Sequence, residues 1–103
     1  MKPLVLGYVQ ASHLPARLET ALTGQLATWA VREGYLLGVV YRETAGNDAF
    51  PALLQAIQKH GAAGVIVPSF AHLGPEPERR VAQLRAVSGA QVFAVGPTPA
   101  RGI

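Results

Sequence analysis

Four short apolar runs recur along this chain, and each is separated from the next by a segment with helical spacing. The runs are Leu4 to Val9, Leu36 to Tyr41, Ala63 to Val67 and Gln91 to Val95. All but the last are near-continuously apolar, the pattern of strands buried on both faces in a parallel sheet. Between the first two runs, Leu18, Leu22, Leu26 and Trp29 form a stripe at steps of four and three that ends near Gly34. Phe50, Leu53, Leu54 and Ile57 form a second stripe, opened after Asn47-Asp48 with Asp48 as the expected N-cap and closed at Gly61. Val81, Leu84 and Val87 form a third, preceded by Pro75-Glu76-Pro77-Glu78. Prolines and acids suit a helix start, where free amides lack partners and the dipole favours negative charge.

Strand and helix alternating in this way predict an α/β fold, a three-layer αβα sandwich with a mainly parallel sheet of about four strands. The expected domain spans residues 1–96, and the aperiodic residues 97–103 are expected to form a flexible tail. In such sheets ligands bind beyond the carboxyl ends of the strands, where strand order reverses. If the first and third strands are central neighbours, the loops Gln10 to Leu14 and Pro68 to Gly74 face each other there. Ser12, His13, Ser69 and His72 then line one crevice.

Composition removes several classes of function. At 103 residues the chain has room for one core, above the roughly 60 residues at which single cores become marginal. There is no cysteine, which excludes disulfides and thiolate metal sites. The three histidines lack carboxylates at ligand spacing, so no metal or cofactor is expected. No apolar run approaches the roughly 18 residues needed to span a bilayer, and Met1-Lys2-Pro3 does not open a secretory signal. A cytoplasmic location without a membrane partner is the default expectation. The net charge of +3 is spread thinly over seven arginines and two lysines, with only Arg79 and Arg80 adjacent. That distribution permits a polyanionic partner without forming a phosphate-tracking stripe.

Ser12 is the residue best placed for chemistry, three residues beyond the first apolar run. A serine hydroxyl is a poor nucleophile until one group takes its proton and another stabilises the charge it creates. Each candidate also has a purely structural reading. Ser12 can satisfy backbone amides ahead of the helix that Pro15 starts, and His72 can be a hydrogen-bonded loop residue. His13 and His60 read as a loop and a helix-end residue. Asp48 reads as a cap, and Arg79 and Arg80 as the exposed side of the third helix.

Gly7-Tyr8-Val9-Gln10-Ala11-Ser12 resembles the Gly-Tyr-x-Arg-Val-Ser signature of the serine recombinases, the resolvase and invertase family. Further matches follow in order. Leu22 to Gly34 is similar to that family's first helix and its closing glycine, and Val39-Val40-Tyr41-Arg42-Glu43 to its second strand and acidic loop. Phe50-Pro51-Ala52-Leu53 stands where an Arg-Pro-Gly-Leu helix start is typical. Val65-Ile66-Val67 leads to Phe70-Ala71-His72-Leu73-Gly74-Pro75, which resembles a Leu-Asp-Arg-Leu-Gly-Arg loop. The similarity covers roughly residues 4 to 95 and implies the catalytic-domain fold of that family.

The chemistry implied is attack of Ser12 on a DNA phosphodiester, a covalent phosphoserine bond, and release of the strand to a new partner. Of the family's catalytic positions only Ser12 keeps its identity. Gln10, Phe50, His72 and Pro75 replace arginines, and Ala71 replaces an aspartate. The family's catalytic domain is normally followed by a long helix and a DNA-binding segment, and no groove-reading element follows the last strand in these residues. The expected function is therefore a recombinase-like domain that has lost strand exchange and acts as an accessory or interaction module. The implied partners are DNA, contacted weakly and without specificity, and a second copy or a partner recombinase. Two alternatives stand beside it: an active recombinase working through Ser12, and a small-ligand or phosphate-binding domain using Gln10, His13, Ser69 and His72.

Overall fold

A computed structural model of the chain describes residues 2–46 and 48–96. Asn47 and the tail expected over 97–103 lie outside the described residues. The elements run β1 (Leu4–Gln10), α1 (Ala16–Glu33), β2 (Leu36–Glu43), α2 (Phe50–His60), β3 (Gly64–Val67), α3 (Pro77–Ser88) and β4 (Gln91–Ala94). A single 3₁₀ turn, Phe70–Leu73, lies in what the sequence presents as a plain loop.

The four strands form one parallel sheet in the order β2-β1-β3-β4, with β1 and β3 at its centre, the condition on which the expected crevice depends. From β1 the chain first steps outward to β2, then returns across β1 to β3 and continues to β4. Parallel crossovers are right-handed, so reversing the direction of travel puts the connecting helices on opposite faces. One face therefore receives α1 alone and the other receives α2 and α3.

That imbalance divides the core. On the α2/α3 face, Leu6, Tyr8, Phe50, Leu53, Ile57, Val65, Val67, Leu73 and Leu84 are all buried together. On the α1 face, Val5, Val9, Leu26, Ala30 and Ile66 form a smaller cluster, widened by Trp29 stacking on Tyr35 and both rings meeting Phe93. Gly7 lets α1 come close, because a Cβ there would lie 2.9 Å from a methyl of Val40 and 3.2 Å from Leu26.

Several expectations need correction. In the first stripe only Leu26 is fully buried; Leu18 is exposed, since α1 is alone on its face and, among the described residues, no second helix covers its flank. The second strand is not buried on both faces. It is an edge strand, with Leu36 56% and Val39 59% exposed, and its pairing with β1 is interrupted by a bulge near Gly38 and Val39. Asp48 is not the residue at the N-cap of α2, a position held by Ala49, but its Oδ1 accepts the Phe50 N–H at 3.3 Å. Gly34, Gly61 and Gly89 close the three helices with positive φ angles, the conformation glycine adopts without strain.

Candidate functional site

β1 carries the site. Side chains alternate across a strand, so Leu6, Tyr8 and Gln10 share the α2/α3 face while Val5, Gly7 and Val9 face α1. At the carboxyl end Gln10 pairs in register with Glu43, the last residue of β2. From this position Gln10 joins the loop after β1, the 3₁₀ turn and the end of β2.

Its backbone N–H donates to Nδ1 of His72 in the 3₁₀ turn at 3.0 Å. Its Oε1 accepts both the backbone N–H of Ser12 at 2.9 Å and the Ser12 hydroxyl at 2.5 Å. Its Nε2 reaches the Glu43 carboxylate at 3.4 Å. The two ends of the amide are thus distinguished by their partners, an oxygen toward two donors and a nitrogen toward an acceptor.

Glu43 continues the network inward. Its Oε1 accepts the hydroxyl of the buried Tyr8, and Nη1 of Arg80 on α3 lies 3.6 Å from the same carboxylate and donates to the Tyr8 oxygen at 3.0 Å. The Arg80 guanidinium also stacks 4.2 Å over the Phe50 ring. Burial and then the Glu43 carboxylate push the Tyr8 phenol well above its ordinary value, so it remains a donor.

These contacts restrict Ser12 chemically. Its proton is donated to an amide oxygen, which is far too weak a base to remove it. The nearby imidazole cannot help in this arrangement. With Nδ1 accepting from Gln10, a neutral His72 carries its proton on Nε2, and its one ring lone pair is already engaged. Burial lowers the His72 pKa, which favours this neutral form.

The expected crevice exists and is shallow, about 250 Å³, lined by Gln10, His13, Leu14, Ser69, Ala71 and His72. Ser12 is not among its lining residues and stands beside it, held to Gln10. Among the described residues no group of three or more His, Asp or Glu side chains could hold a metal ion, and no helix is long and apolar enough to cross a membrane.

Tyr8, Glu43 and Arg80 were absent from the sequence-derived site. Arg80 is a correction: Arg79 is 82% exposed and pairs with Glu76, whereas the Arg80 side chain is 30% exposed and turned inward. Its spacing held the signal, since Arg80 lies one helical turn before the fully buried Leu84. Tyr8 and Gln10 were likewise marked as partners by the period of two along β1.

No protein-family model matches the chain, and no curated protein matches it. Among solved structures the chain is similar to the C-terminal catalytic domain of ISC1926 TnpA, an IS607-like serine recombinase. The two superpose with a TM-score of 0.76 at 14% identity, over 95% of this chain and 72% of the other. At that identity the likeness speaks for the fold, and the fold of this chain is that of a serine-recombinase catalytic domain.

Proposed function

We propose that this chain is a serine-recombinase-like domain that does not exchange DNA strands and serves as an accessory or interaction module. The observation that carries the proposal is the Ser12 hydroxyl donating to the Gln10 amide oxygen at 2.5 Å. A nucleophile in phosphoryl transfer needs its proton removed and the charge on the phosphoryl oxygens neutralised.

The surrounding charge supports the same reading. By the family resemblance Gln10, Phe50, His72 and Pro75 stand at arginine positions, and none of them brings a permanent charge. Arg80 lies over Phe50 but is committed to Glu43 and Tyr8. Arg42 is held by Glu19 through bonds of 2.5 and 2.9 Å. Loss of one preorganised electrostatic donor costs about 2.7–4 kcal/mol of transition-state stabilisation, or some two to three orders of magnitude in rate.

Incubation with supercoiled plasmid tests this reading. The expected result is no nicking and no protein–DNA adduct at high protein concentration. A covalent adduct that maps to Ser12 and vanishes in Ser12→Ala would overturn it.

A second reading draws on the crevice, where Gln10, His13, Ser69 and His72 converge. With Nδ1 occupied, His72 offers Nε2–H as a donor, and Ser69 adds a hydroxyl, a set suited to a phosphate or another small acceptor-rich group. Ligand-dependent rises in Tm with phosphate, nucleotides or oligonucleotides measure it; no shift with any of them removes it.

A further inference from the structure

Among the described residues no strand pairs with the outer side of β4. Gln91 and Val95 give their N–H groups to Ala63 and Val67 of the β3 side. In a parallel ladder the alternate residues then turn their N–H and C=O outward, so Val92 and Ala94 present an open edge. Beside that edge, on the α3 side, lies an open groove of about 470 Å³ lined by Phe70, Glu78, Val81, Ala82, Arg85 and Val92.

Four of those residues form a pattern. Glu78, Val81, Ala82 and Arg85 fall at i, i+3, i+4 and i+7, one stripe along the flank of α3. The stripe has an acid at one end, a base at the other and small apolar side chains between. Neither Glu78 nor Arg85 takes part in an ion pair among the described residues.

Such a stripe is complementary to itself. Rotation by two-fold symmetry about a point between Val81 and Ala82 brings Glu78 opposite Arg85 of a second copy, and Val81 opposite Ala82, twice over. The β4 edge obeys the same operation. A two-fold at Phe93 sets the outward groups of Val92 against those of Ala94 in an antiparallel pairing. By the rise of an ideal strand and an ideal helix the two centres also come to about one level. Phe93 is roughly 10 Å along the strand from Ala90, and the Val81–Ala82 midpoint is roughly 10 Å back along the helix from Ser88.

We infer that the chain forms a two-fold homodimer through the β4 edge and the α3 flank, joining two sheets into one and closing reciprocal Glu78–Arg85 pairs. This inference rests on the reading that the domain works by association, and it names the second copy as the partner. Opposite charges across the seam fix the register and reject shifted pairings.

Sedimentation equilibrium on the full chain tests it, at low and at high salt. The wild type is expected to dimerise reversibly, with Kd on the order of 1–100 μM for an interface of this class. Arg85→Glu sets like charges at both ends and should weaken the dimer at least about tenfold. Combining it with Glu78→Arg reverses both charges and should restore affinity to within about threefold of wild type. Hydrogen exchange at the Val92 and Ala94 amides should slow on dimerisation. A wild type that stays monomeric throughout, or a dimer indifferent to Arg85→Glu, overturns the inference. The plasmid assay reports Ser12 chemistry separately, so a monomer that forms no adduct removes the dimer and leaves the inactive-domain reading standing.

Discussion

The amide oxygen of Gln10 accepts two hydrogen bonds from Ser12, one from its backbone N–H at 2.9 Å and one from its hydroxyl at 2.5 Å. The hydroxyl that, by the family resemblance, stands at a nucleophile position is here a fastener. It ties the loop after β1 back onto the strand, while the nitrogen of the same amide binds Glu43.

This pairing predicts coupling between the two residues. Gln10→Ala removes the acceptor for both Ser12 donors and the donor to Glu43, and should cost about 1–3 kcal/mol in urea unfolding. Ser12→Ala should cost about 0.5–1 kcal/mol, because only the hydroxyl bond goes. The double variant should be less destabilised than the sum. Additive costs would mean that the two side chains act independently.

The imidazole of His72 makes stability depend on pH. Burial lowers its pKa in the folded state, so below about pH 6.5, the value in an unfolded chain, the unfolded chain binds more protons than the folded one. Stability is therefore full above that pH and falls as pH drops toward the folded-state pKa. Protonation at Nδ1 also abolishes the bond from the Gln10 N–H. His72→Asn keeps an acceptor that does not titrate. Urea midpoints measured between pH 7.5 and 5.5 should decline for the wild type and decline less for the variant. Equal slopes would rule His72 out as the source.

Glu43 should matter more than its cationic neighbour. Glu43→Ala strips the acceptor from the Tyr8 hydroxyl and leaves Arg80 partly buried without its carboxylate. The cost expected is about 2–4 kcal/mol. Arg80→Met keeps the packing against Phe50 and leaves Glu43 with two other donors, Tyr8 and Gln10, so about 1–2 kcal/mol is expected. Denaturant unfolding of both variants gives the ranking, and the reverse order would contradict a network centred on Glu43.

The thinner α1 face gives a packing prediction. Leu26→Ala removes the one large side chain of α1 that is fully buried, against Val5, Val9 and Ile66, and should cost about 2–5 kcal/mol. Val39→Ala, on the exposed edge strand, should change stability by no more than about 0.5 kcal/mol. Thermal or urea unfolding of the pair distinguishes a buried position from an open one.

Apolar periodicity made the elements legible, because short runs such as Val65-Ile66-Val67, alternating with helical stripes and bounded by turn residues, read as buried strands; the central β1–β3 pairing entered only as a condition. The edge position of β2 was not legible. Leu36 to Val40 reads like a central strand, and only the direction of the crossovers decides that it has one neighbour. Ser12, expected in the crevice, is drawn aside by its bonds to Gln10, but His13, Ser69 and His72 could be placed there by the switch-point rule. The network behind them could not, since it depends on Tyr8, Glu43 and Arg80 meeting across separations of 35 and 72 residues. Reading α3 by its apolar positions alone placed Arg80 outside, although a long stem lets an arginine lie along apolar surface and still keep its head on a carboxylate.

The lack of nucleophilic activation proposed for the Ser12 hydroxyl is read directly by a fluorophosphonate probe. The wild-type chain and Ser12→Ala are incubated with the probe at neutral pH and followed by intact mass and peptide mapping. The expected result is the same slow background modification in both, with none mapping to residue 12. Stoichiometric phosphonylation of Ser12 in the wild type, lost in Ser12→Ala, would contradict it.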